Sequence, residues 1–360
     1  MCTIKEINIF KAFSQKSQPI ADATHDISDI SFYVVEIITA DGIQGQGYLL
    51  SFHYSPEAIK GALNDMKRFI LERQFNIYET VRMRSEYELE IEYFGDVGLQ
   101  KWALSVFNIA MWDAWARKLE QPIWKLLGGS YKKVPVYGSG GWLSYTENEL
   151  IEEVKNYKKR GFTAVKIKVG SEEIERDIYR IKKVREAVGD DLKIMIDANQ
   201  GLEVPSAVKL SNLASSIGIN WFEEPINHKD YAGYETIRNK TSIALAMGER
   251  EYDCTALKEL IRRNAIDLWQ PDIIRIGGVE GWKNSASLAV LNNIPVLPHY
   301  YKDYDIPLLT TVSKVYGAES FDWIDEIIDN PLNIDNGYAY PRKENGWGFK
   351  FKKEFLEEVK

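Results

Sequence analysis

The chain has 360 residues and a formal net charge of −8, with 53 acidic residues against 45 basic ones. Hydrophobic residues make up 45% and charged residues 27%, a globular composition that excludes a mainly disordered, collagenous or coiled-coil chain. The acidic balance argues against a nucleic-acid-binding protein and against binding to anionic membrane surfaces. This length predicts two domains, or one large α/β barrel with an addition.

The cysteine content and the N-terminal sequence bear on the compartment. Cys2 and Cys254 cannot form a disulfide framework, and they fit a reducing environment. The N-terminal residues carry early charges and lack an apolar h-region, so no signal peptide is predicted. No apolar run approaches the ~18 residues of a transmembrane helix. We therefore expect a cytoplasmic protein.

The first part of the chain is predicted to combine a small antiparallel sheet with helices. Residues 3–13 and 31–40 alternate apolar and polar side chains, and Asp41-Gly42 after the second run predicts a hairpin turn. From about Gly98 to Lys118, apolar residues recur at three- and four-residue spacing, which predicts a helix with one apolar face. Strands followed by helices indicate an α+β region.

From about Val134 the pattern changes to short strands alternating with helices such as Ser171–Val188 and Ser206–Ile217. The predicted strands are VPVYGSG, AVKIKVG, KIMIDANQG, NWFEEP, IALAMGE, DLWQPDI, IPVLPHY and YGAESF. Strands in this number with helical crossovers predict a parallel βα barrel rather than an open sheet. The loop-rich tail after about Asp325 is expected to return to the first region.

Two lysines mark the second strand of the predicted barrel. In a βα barrel, the C-terminal strand ends converge on one mouth, which carries the active site. Alternation along AVKIKVG places Lys166 and Lys168 on one face, pointing inward, where they need anionic partners. A second positive charge lowers the pKa of a lysine, which would make it a usable general base. The alternative is a pair of solvated strand-end lysines.

Carboxylates end the next three predicted strands. Asp197 ends KIMIDANQG and Glu249 ends IALAMGE, while in NWFEEP only one of Glu223 and Glu224 can face the mouth. Three converging carboxylates with waters completing an octahedron suit Mg²⁺, and no Cys/His set has the spacing of a zinc site. Any one of these carboxylates alone could instead form a structural salt bridge.

The remaining candidates are a histidine–aspartate pair and several weaker positions. Asp272 and His299 end the following two strands, and a carboxylate beside a histidine supports a general acid or base. Glu319 ends the last strand and, if protonated, could donate a hydrogen bond to a developing oxyanion. His25 and His53 lie in the first region and could contact substrate, although solvated loop positions are the favoured interpretation.

These residues, in this order, resemble the enolase superfamily, specifically its mandelate racemase subgroup. The resemblance covers almost the whole chain and is carried by ALSVFNIAMWDAWARKLEQPIWKLLGG, KIKVG, IMIDANQG, WFEEP, MGE, PDIIRIGGVEGW and the histidine of PHY. It implies an α/β fold in which a modified TIM barrel, (β/α)7β, spans residues 126–324. The implied α+β capping domain spans residues 1–125, and residues 325–360 form a C-terminal segment that packs back on it.

The resemblance also implies a metal site and a pair of proton-transfer groups. The residues that match the ligands of one Mg²⁺ per subunit are Asp197, Glu223 and Glu249. The residues that match the proton-transfer groups are Lys168 on one face of the substrate, with Lys166 beside it, and His299 on the other face, paired with Asp272. The match thus selects Glu223 over Glu224.

Other positions are expected to contact substrate. By resemblance, Glu319 matches the group that hydrogen-bonds the enolate oxygen, and Asn199 is similar to an auxiliary residue beside the metal. We expect His25, His53 and Tyr54 to contact the substrate from the capping region.

The family chemistry implied is removal of the proton α to a carboxylate, which gives an enediolate stabilised by Mg²⁺ and a cationic lysine. Two opposed bases allow racemisation, or dehydration to a 2-keto-3-deoxy acid. The loops SQKSQPIADATHDISD and YYKDYD are polar and would suit a polyol chain, so an aldonate or aldarate dehydratase is favoured. A racemase or epimerase of 2-hydroxy acids is the alternative, and a non-catalytic ligand-binding barrel is the more distant one. We expect a small carboxylic acid substrate and a homo-oligomer.

Overall fold

The computed structural model describes residues 2–16 and 18–359. The strands are β1 (Ile4–Phe13), β2 (Ile20–Ala21), β3 (Asp26–Ile27), β4 (Ser31–Thr39), β5 (Gln44–Leu50), β6 (Val134–Gly140), β7 (Ala164–Lys168), β8 (Lys193–Asp197), β9 (Ile219–Glu223), β10 (Ala244–Met247), β11 (Leu268–Trp269), β12 (Ala318–Ser320), β13 (Ile334–Asp335), β14 (Tyr338–Ala339) and β15 (Glu357–Glu358). The α-helices are α1 (Pro56–Arg73), α2 (Thr80–Ile91), α3 (Leu99–Lys118), α4 (Ile123–Leu126), α5 (Glu147–Lys159), α6 (Ile174–Val188), α7 (Val204–Ser215), α8 (Tyr231–Lys240), α9 (Thr255–Arg263), α10 (Gly278–Leu291) and α11 (Lys302–Leu309).

The first region is an antiparallel sheet covered by helices. β1, β4 and β5 are adjacent in this sheet, and the predicted hairpin turn joins β4 to β5, with Gly42 at φ 82°. The predicted helix from Gly98 to Lys118 is confirmed as α3, which packs on β5. Gly45 and Gly47 of β5 allow this close contact, because a Cβ at either position would overlap the backbone of α3.

The second region is the (β/α)7β barrel. Its wall has eight strand positions, numbered here in chain order as the first to eighth staves, and helices pack outside it. β6 to β11 run parallel in chain order, and β12 pairs with β6. The ring closes through isolated parallel bridges from Trp269 to Val296 and from Val296 to Val315. The seventh stave is therefore much shorter than the predicted strand IPVLPHY, because Pro295 and Pro298 remove two backbone donors there.

Side chains alternate between the inside of the ring and the surrounding helices. Met195, Trp221, Ala246 and Leu297 belong to a small cluster inside the barrel, which is separate from the main core. Val165 and Ile167 of β7 belong to the main core. The predicted division of β7 into an inward lysine face and an outward apolar face is confirmed.

The C-terminal segment contacts both regions. β14 pairs with β6 of the barrel, and β15 pairs with β1 of the first sheet. The indole Nε1 of Trp347 donates a hydrogen bond to the carbonyl of Ile109 in α3. The domain boundaries at residues 125 and 325 stay a prediction. Within the described residues, no helix has the length and apolar character needed to cross a membrane.

Candidate active site

The strand ends bring the predicted site residues together. In the parallel ladder, Lys168 of β7 is the register partner of Asp197 in β8, and Asp197 is the partner of Glu223 in β9. Glu249 lies just past the end of the neighbouring β10. Three carboxylates and two lysines therefore share one end of the barrel, as the spacing of the strands predicts.

Both lysines are buried and paired with carboxylates. Lys166 Nζ lies 2.7 Å from Glu223 Oε2 and 2.6 Å from Glu319 Oε1, and Lys168 Nζ lies 2.6 Å from Asp197 Oδ2. These contacts supply the anionic partners that the sequence predicts and exclude the solvated alternative.

The protonation state of Lys168 differs from the expectation. Burial lowers the pKa of Lys168, and the charge of Lys166 lowers it as well, as the sequence predicts. The charges of Asp197, Asp22 and Glu223 together outweigh both effects, so that the pKa is raised. The neighbouring lysine therefore does not by itself make Lys168 a usable base.

His299 bridges two carboxylates. Its Nδ1 lies 2.8 Å from Asp272 Oδ2, and its Nε2 lies 3.3 Å from Glu249 Oε2. The backbone N–H groups of Ile274 and Arg275 donate to the other oxygen of Asp272, which fixes that carboxylate in place. Burial by itself lowers the pKa of His299, but Glu249 and Asp272 outweigh it and raise the pKa, so the imidazolium is the favoured form.

Glu319 contacts an ammonium group and a backbone N–H. Its Oε2 accepts the backbone N–H of Tyr300, and its Oε1 contacts Lys166. Burial by itself raises the pKa of Glu319, but the charges of Lys166, His299 and Lys168 together outweigh burial and lower the pKa to about 2. The condition under which Glu319 could donate a hydrogen bond, a protonated carboxyl, is therefore not met while Lys166 is its partner.

The two adjacent glutamates of WFEEP point to different partners. Glu223 contacts Lys166, whereas Glu224 Oε2 accepts a hydrogen bond from Arg250 Nε at 2.8 Å, with its backbone at φ 35°. Arg250 Nη2 also lies 3.3 Å from Glu249 Oε1. Glu223 is consequently the glutamate that lies against the lysines and Asp197.

The carboxylates can be tested for their fit to a metal ion. With the side chains as they stand, no group of three or more His, Cys, Asp or Glu residues among residues 2–16 and 18–359 is arranged to hold one. Lys166, Lys168, Arg250 and His299 occupy the carboxylate oxygens instead. However, buried Glu223 Oε1 has no hydrogen-bond partner in the described part of the chain, and the donor set is all oxygen. Oxygen donors of this kind fit a hard divalent cation such as Mg²⁺ once the side chains turn toward it.

A cavity of about 360 Å³ lies above these residues, between the barrel mouth and the first region. The site residues of the barrel that line it are Lys168, Asn199, Glu249, Asp272, His299 and Glu319. From the first region, His25 and Tyr54 line it, as does Asp22, which contacts His25. His53 is not part of the wall; its ring accepts a hydrogen bond from the N–H of Ser28 and lies against Tyr54.

The polar segment after His299 does not give the cavity a polar wall. Residues 302–309 form α11 rather than a loop, and its polar side chains are used elsewhere. Lys302 pairs with Asp325, and Asp305 accepts a hydrogen bond from Trp282 Nε1. The residues of YYKDYD that line the cavity are the aromatic Tyr300 and Tyr301. The interpretation of this segment as a polyol-binding loop is therefore wrong.

Several residues of the cavity wall escaped the sequence analysis. Trp142 and Arg250 lie within two residues of the ends of predicted strand segments, so the rule that strand ends face the mouth could have found them. Trp323 belongs to a loop without a chemical motif, and nothing in its local sequence indicates the cavity.

Comparison with known families gives matches over nearly the whole chain. Residues 4–128 match the family described as mandelate racemase / muconate lactonizing enzyme, N-terminal domain. Residues 149–355 match the family described as enolase C-terminal domain-like.

Individual relatives agree with these matches. The arabinonate dehydratase of Saccharolobus solfataricus is 30% identical over 341 residues, covering 90% of this chain and 89% of that protein. The L-talarate/galactarate dehydratase of Salmonella typhimurium is 26% identical over 353 residues, covering 96% of this chain and 88% of that protein. Among solved structures, an enolase from alpha proteobacterium BAL199 with bound magnesium superposes with a TM-score of 0.91 at 28% identity, covering 98% of each chain.

Proposed function

The chain belongs to the mandelate racemase / muconate lactonizing enzyme family of the enolase superfamily, and from this premise we propose that it is a Mg²⁺-dependent hydro-lyase. Its reaction would be removal of the proton α to a carboxylate, followed by loss of the β-hydroxyl to give a 2-keto-3-deoxy acid. The substrate class is a sugar acid, an aldonate or aldarate, as in the names of the dehydratase relatives.

One observation carries this proposal: two proton-transfer groups with opposite tasks line one cavity. Lys168 follows the second stave and His299 the seventh, and the carboxylates of the third to fifth staves lie at the same end of the ring. A substrate carboxylate placed near those acidic strand ends would have Lys168 and His299 on different sides of its α-carbon.

Asp197, Glu223 and Glu249 would hold the magnesium ion, which when bound supplies positive charge for the substrate carboxylate and the charge that develops on it. The charge of Asp197 is the largest of those that raise the pKa of Lys168, so a cation that neutralised it would lower this pKa and favour acceptance of the α-proton by the amine. Lys166, fixed between Glu223 and Glu319, supplies a permanent ammonium group beside the reacting carboxylate.

His299 completes the elimination. Lys168 Nζ takes the α-proton, and the electron pair left on the α-carbon forms the double bond to the β-carbon. The β-carbon–oxygen bond then breaks, and the imidazolium of His299 gives its proton to the departing oxygen, which leaves as water. The resulting enol takes up a proton at the β-carbon and loses the proton of its α-hydroxyl to solvent, which gives the 2-keto-3-deoxy acid.

Racemisation or epimerisation of a 2-hydroxy acid is the second candidate, since the same two groups can take and return the α-proton from different sides. Its support is the apolar character of the cavity wall described below. In D₂O, deuterium entering the α-position without loss of water would favour this candidate over dehydration.

A screen of aldonates and aldarates with Mg²⁺, detecting 2-keto-3-deoxy acids, tests the leading proposal. We expect turnover of at least one member and loss of that turnover with EDTA. If the enzyme binds Mg²⁺ but converts no sugar acid, the dehydratase proposal is contradicted. The cytoplasmic location and the homo-oligomer stay predictions.

A further inference from the structure

Five aromatic side chains form one side of the active-site cavity. This aromatic wall consists of Phe52, Trp142, Tyr300, Phe321 and Trp323, all of which line the cavity. Phe321 and Trp323 stack with centroids 4.3 Å apart, and Trp142 stacks on Trp323 at 5.9 Å. Phe52 packs edge-on against Trp323 at 5.9 Å. The rings support one another, so the wall is a packed surface rather than a set of separate side chains.

The aromatic wall lies opposite the acidic strand ends. Trp142 follows the first stave, β6, while Phe321 and Trp323 follow the eighth, β12. In a closed ring of eight staves, the first faces the fifth and the eighth faces the fourth. The fourth and fifth staves are β9 and β10, which end in Glu223 and Glu249. A substrate whose carboxylate lies near those residues therefore extends across the mouth toward the aromatic wall.

The polar groups near this end of the cavity already have partners in the protein. Apolar Ile27, Leu50 and Ile59 also line the cavity. The hydroxyl of Tyr301 accepts the N–H of Leu50, and the hydroxyl of Tyr54 donates to the carbonyl of Asp26. The polar atoms of the wall itself are indole N–H groups and one phenol, all neutral. Lys168 Nζ lies 5.2 Å from the centroid of the Trp142 ring, but it is paired with Asp197. A second carboxylate buried here would have to compete with Asp197 for this ammonium group, which is costly.

The arginines of the cavity are on the other side of the ring. Arg250 follows β10 and is paired with Glu224 and Glu249. Arg275 follows β11 and donates from Nη1 to the backbone carbonyl of Glu249 at 2.8 Å. Both guanidinium groups thus lie beside the carboxylates that would hold the metal, not beside the aromatic wall.

We propose that the substrate acid ends in an apolar group, such as a methyl, alkyl or aryl group, which packs on the aromatic wall. The inference rests on the proposed function only for the position of the carboxylate. Among sugar acids it selects deoxyaldonates over their fully hydroxylated parents, and it excludes aldarates, whose second carboxylate would meet the wall.

The test is a binding series with a constant head group. Racemic 2-hydroxyhexanoate, 2,6-dihydroxyhexanoate and 2-hydroxyadipate differ only at the far end, and Kd is measured by calorimetry in saturating Mg²⁺. We expect 2-hydroxyhexanoate to bind on the order of tenfold more tightly than the dihydroxy acid, and the diacid to bind most weakly. Equal or tighter binding of either polar-ended acid, or no binding of all three, overturns the inference.

Variants connect the binding order to the aromatic wall. Phe52→Asn removes one ring, and asparagine tolerates the backbone at φ 51°. We expect the preference for 2-hydroxyhexanoate over the dihydroxy acid to fall severalfold in this variant. Phe13→Asn on β1, 38% exposed and outside the cavity, is the matched control and should keep the preference of the unaltered enzyme.

These experiments distinguish failure of the aromatic-wall inference from failure of the dehydratase proposal. If Phe52→Asn does not fold, as judged by circular dichroism, Trp323→Gln replaces it with the same expected result. An unchanged preference in a folded variant overturns the role of the aromatic wall. Because binding requires no turnover, an inactive enzyme with the expected binding order would contradict the dehydratase proposal while supporting this inference.

Discussion

At the scale of single residues, the site is defined by which carboxylate each cation contacts. Lys168 lies against Asp197 and His299 against Asp272 and Glu249, and each pairing favours the protonated form of the cation. One of these cations must lose its proton before it can act as a base. Because Lys168 contacts Asp197, a metal ion held by Asp197 would change the pKa of Lys168.

Replacing Lys168 tests its role as the α-proton acceptor. Lys168→Met keeps the length of the side chain but removes the amine, so we expect turnover to fall by about 100- to 10,000-fold. Exchange of the α-proton with D₂O should fall in parallel, measured by NMR on any substrate found in the screen. Lys209→Met, at an exposed lysine paired with Glu175, is the matched control. Full activity of Lys168→Met would show that another group takes the proton.

The metal site predicts a stability change on adding Mg²⁺. Binding to the folded state alone stabilises it by about 2.7 kcal/mol at a free concentration of 100 times Kd, so Tm should rise. Glu223→Gln keeps the shape but removes a charge, and the rise in Tm should shrink markedly. Scanning calorimetry with and without EDTA measures both. Glu175→Gln at the protein surface is the control, and an equal rise in Tm for both variants would remove Glu223 from the metal site.

At the scale of elements, helix α5 supports the mouth from outside. Glu153 of α5 accepts the backbone N–H of Gly141 at 2.5 Å, just beyond the end of β6. The carbonyl of Gly141 in turn accepts the N–H of Lys168. This short chain of hydrogen bonds links a carboxyl outside the barrel to the strand that carries the proposed base.

Glu153 predicts a pH dependence of stability. Burial raises its pKa from 4.5 to about 7, so between these values the folded state binds a proton that the unfolded state does not. The free energy of unfolding should therefore fall as pH rises through this window, by roughly 1 to 3 kcal/mol. Glu153→Gln, which mimics the neutral form, should remove this decline in urea titrations across the window. Glu152→Gln, at an exposed neighbour, should retain it, and a decline that persists in Glu153→Gln would assign it to another group.

The helices and strands also show which features of the fold can be predicted from the sequence. The ends of α3 and of β6 follow from periodicity and flanking glycines, and alternation alone placed Lys166 and Lys168 inside the barrel. The length of the seventh stave was overpredicted, because two prolines within IPVLPHY limit its pairing to one bridge with each neighbour, both at Val296. The charged residues of α11 do not line the cavity for a different reason. Their partners, such as Asp325, lie far away in sequence, and pairing at that distance leaves no local pattern from which it could be predicted.

At the scale of the whole molecule, the first region and the barrel together build one cavity. The family could be predicted because most of the motifs that carry the resemblance follow the barrel strands in order, and the candidate active site lies at the ends of those strands. The aromatic wall could not be predicted in this way, because Phe52, Trp142 and Trp323 meet only when the first region docks on the barrel. The states of Lys168 and Glu319 could not be predicted either, because their pKa shifts depend on distances of a few ångströms to particular charges.

Trp347 tests whether the C-terminal segment stabilises the whole assembly. It is 2% exposed, its backbone N–H donates to Asp113, and its indole donates to Ile109. We expect Trp347→Ala to lower the free energy of unfolding by about 3–5 kcal/mol, measured by urea denaturation. Tyr340→Ala, at a 48% exposed aromatic residue of the same segment, should cost far less. Similar values for the two variants would argue that the segment contributes little beyond its local contacts.

The pairing of β15 with β1 joins two strands that are synthesised far apart in time. Phe10 is synthesised before every strand of the barrel, yet its neighbour Glu358 is synthesised after all of them. The edge of the first sheet must therefore stay open throughout translation, a period in which unpaired strand edges invite wrong partners. The sheet that covers the active site is thus begun before the barrel is synthesised and completed only after it.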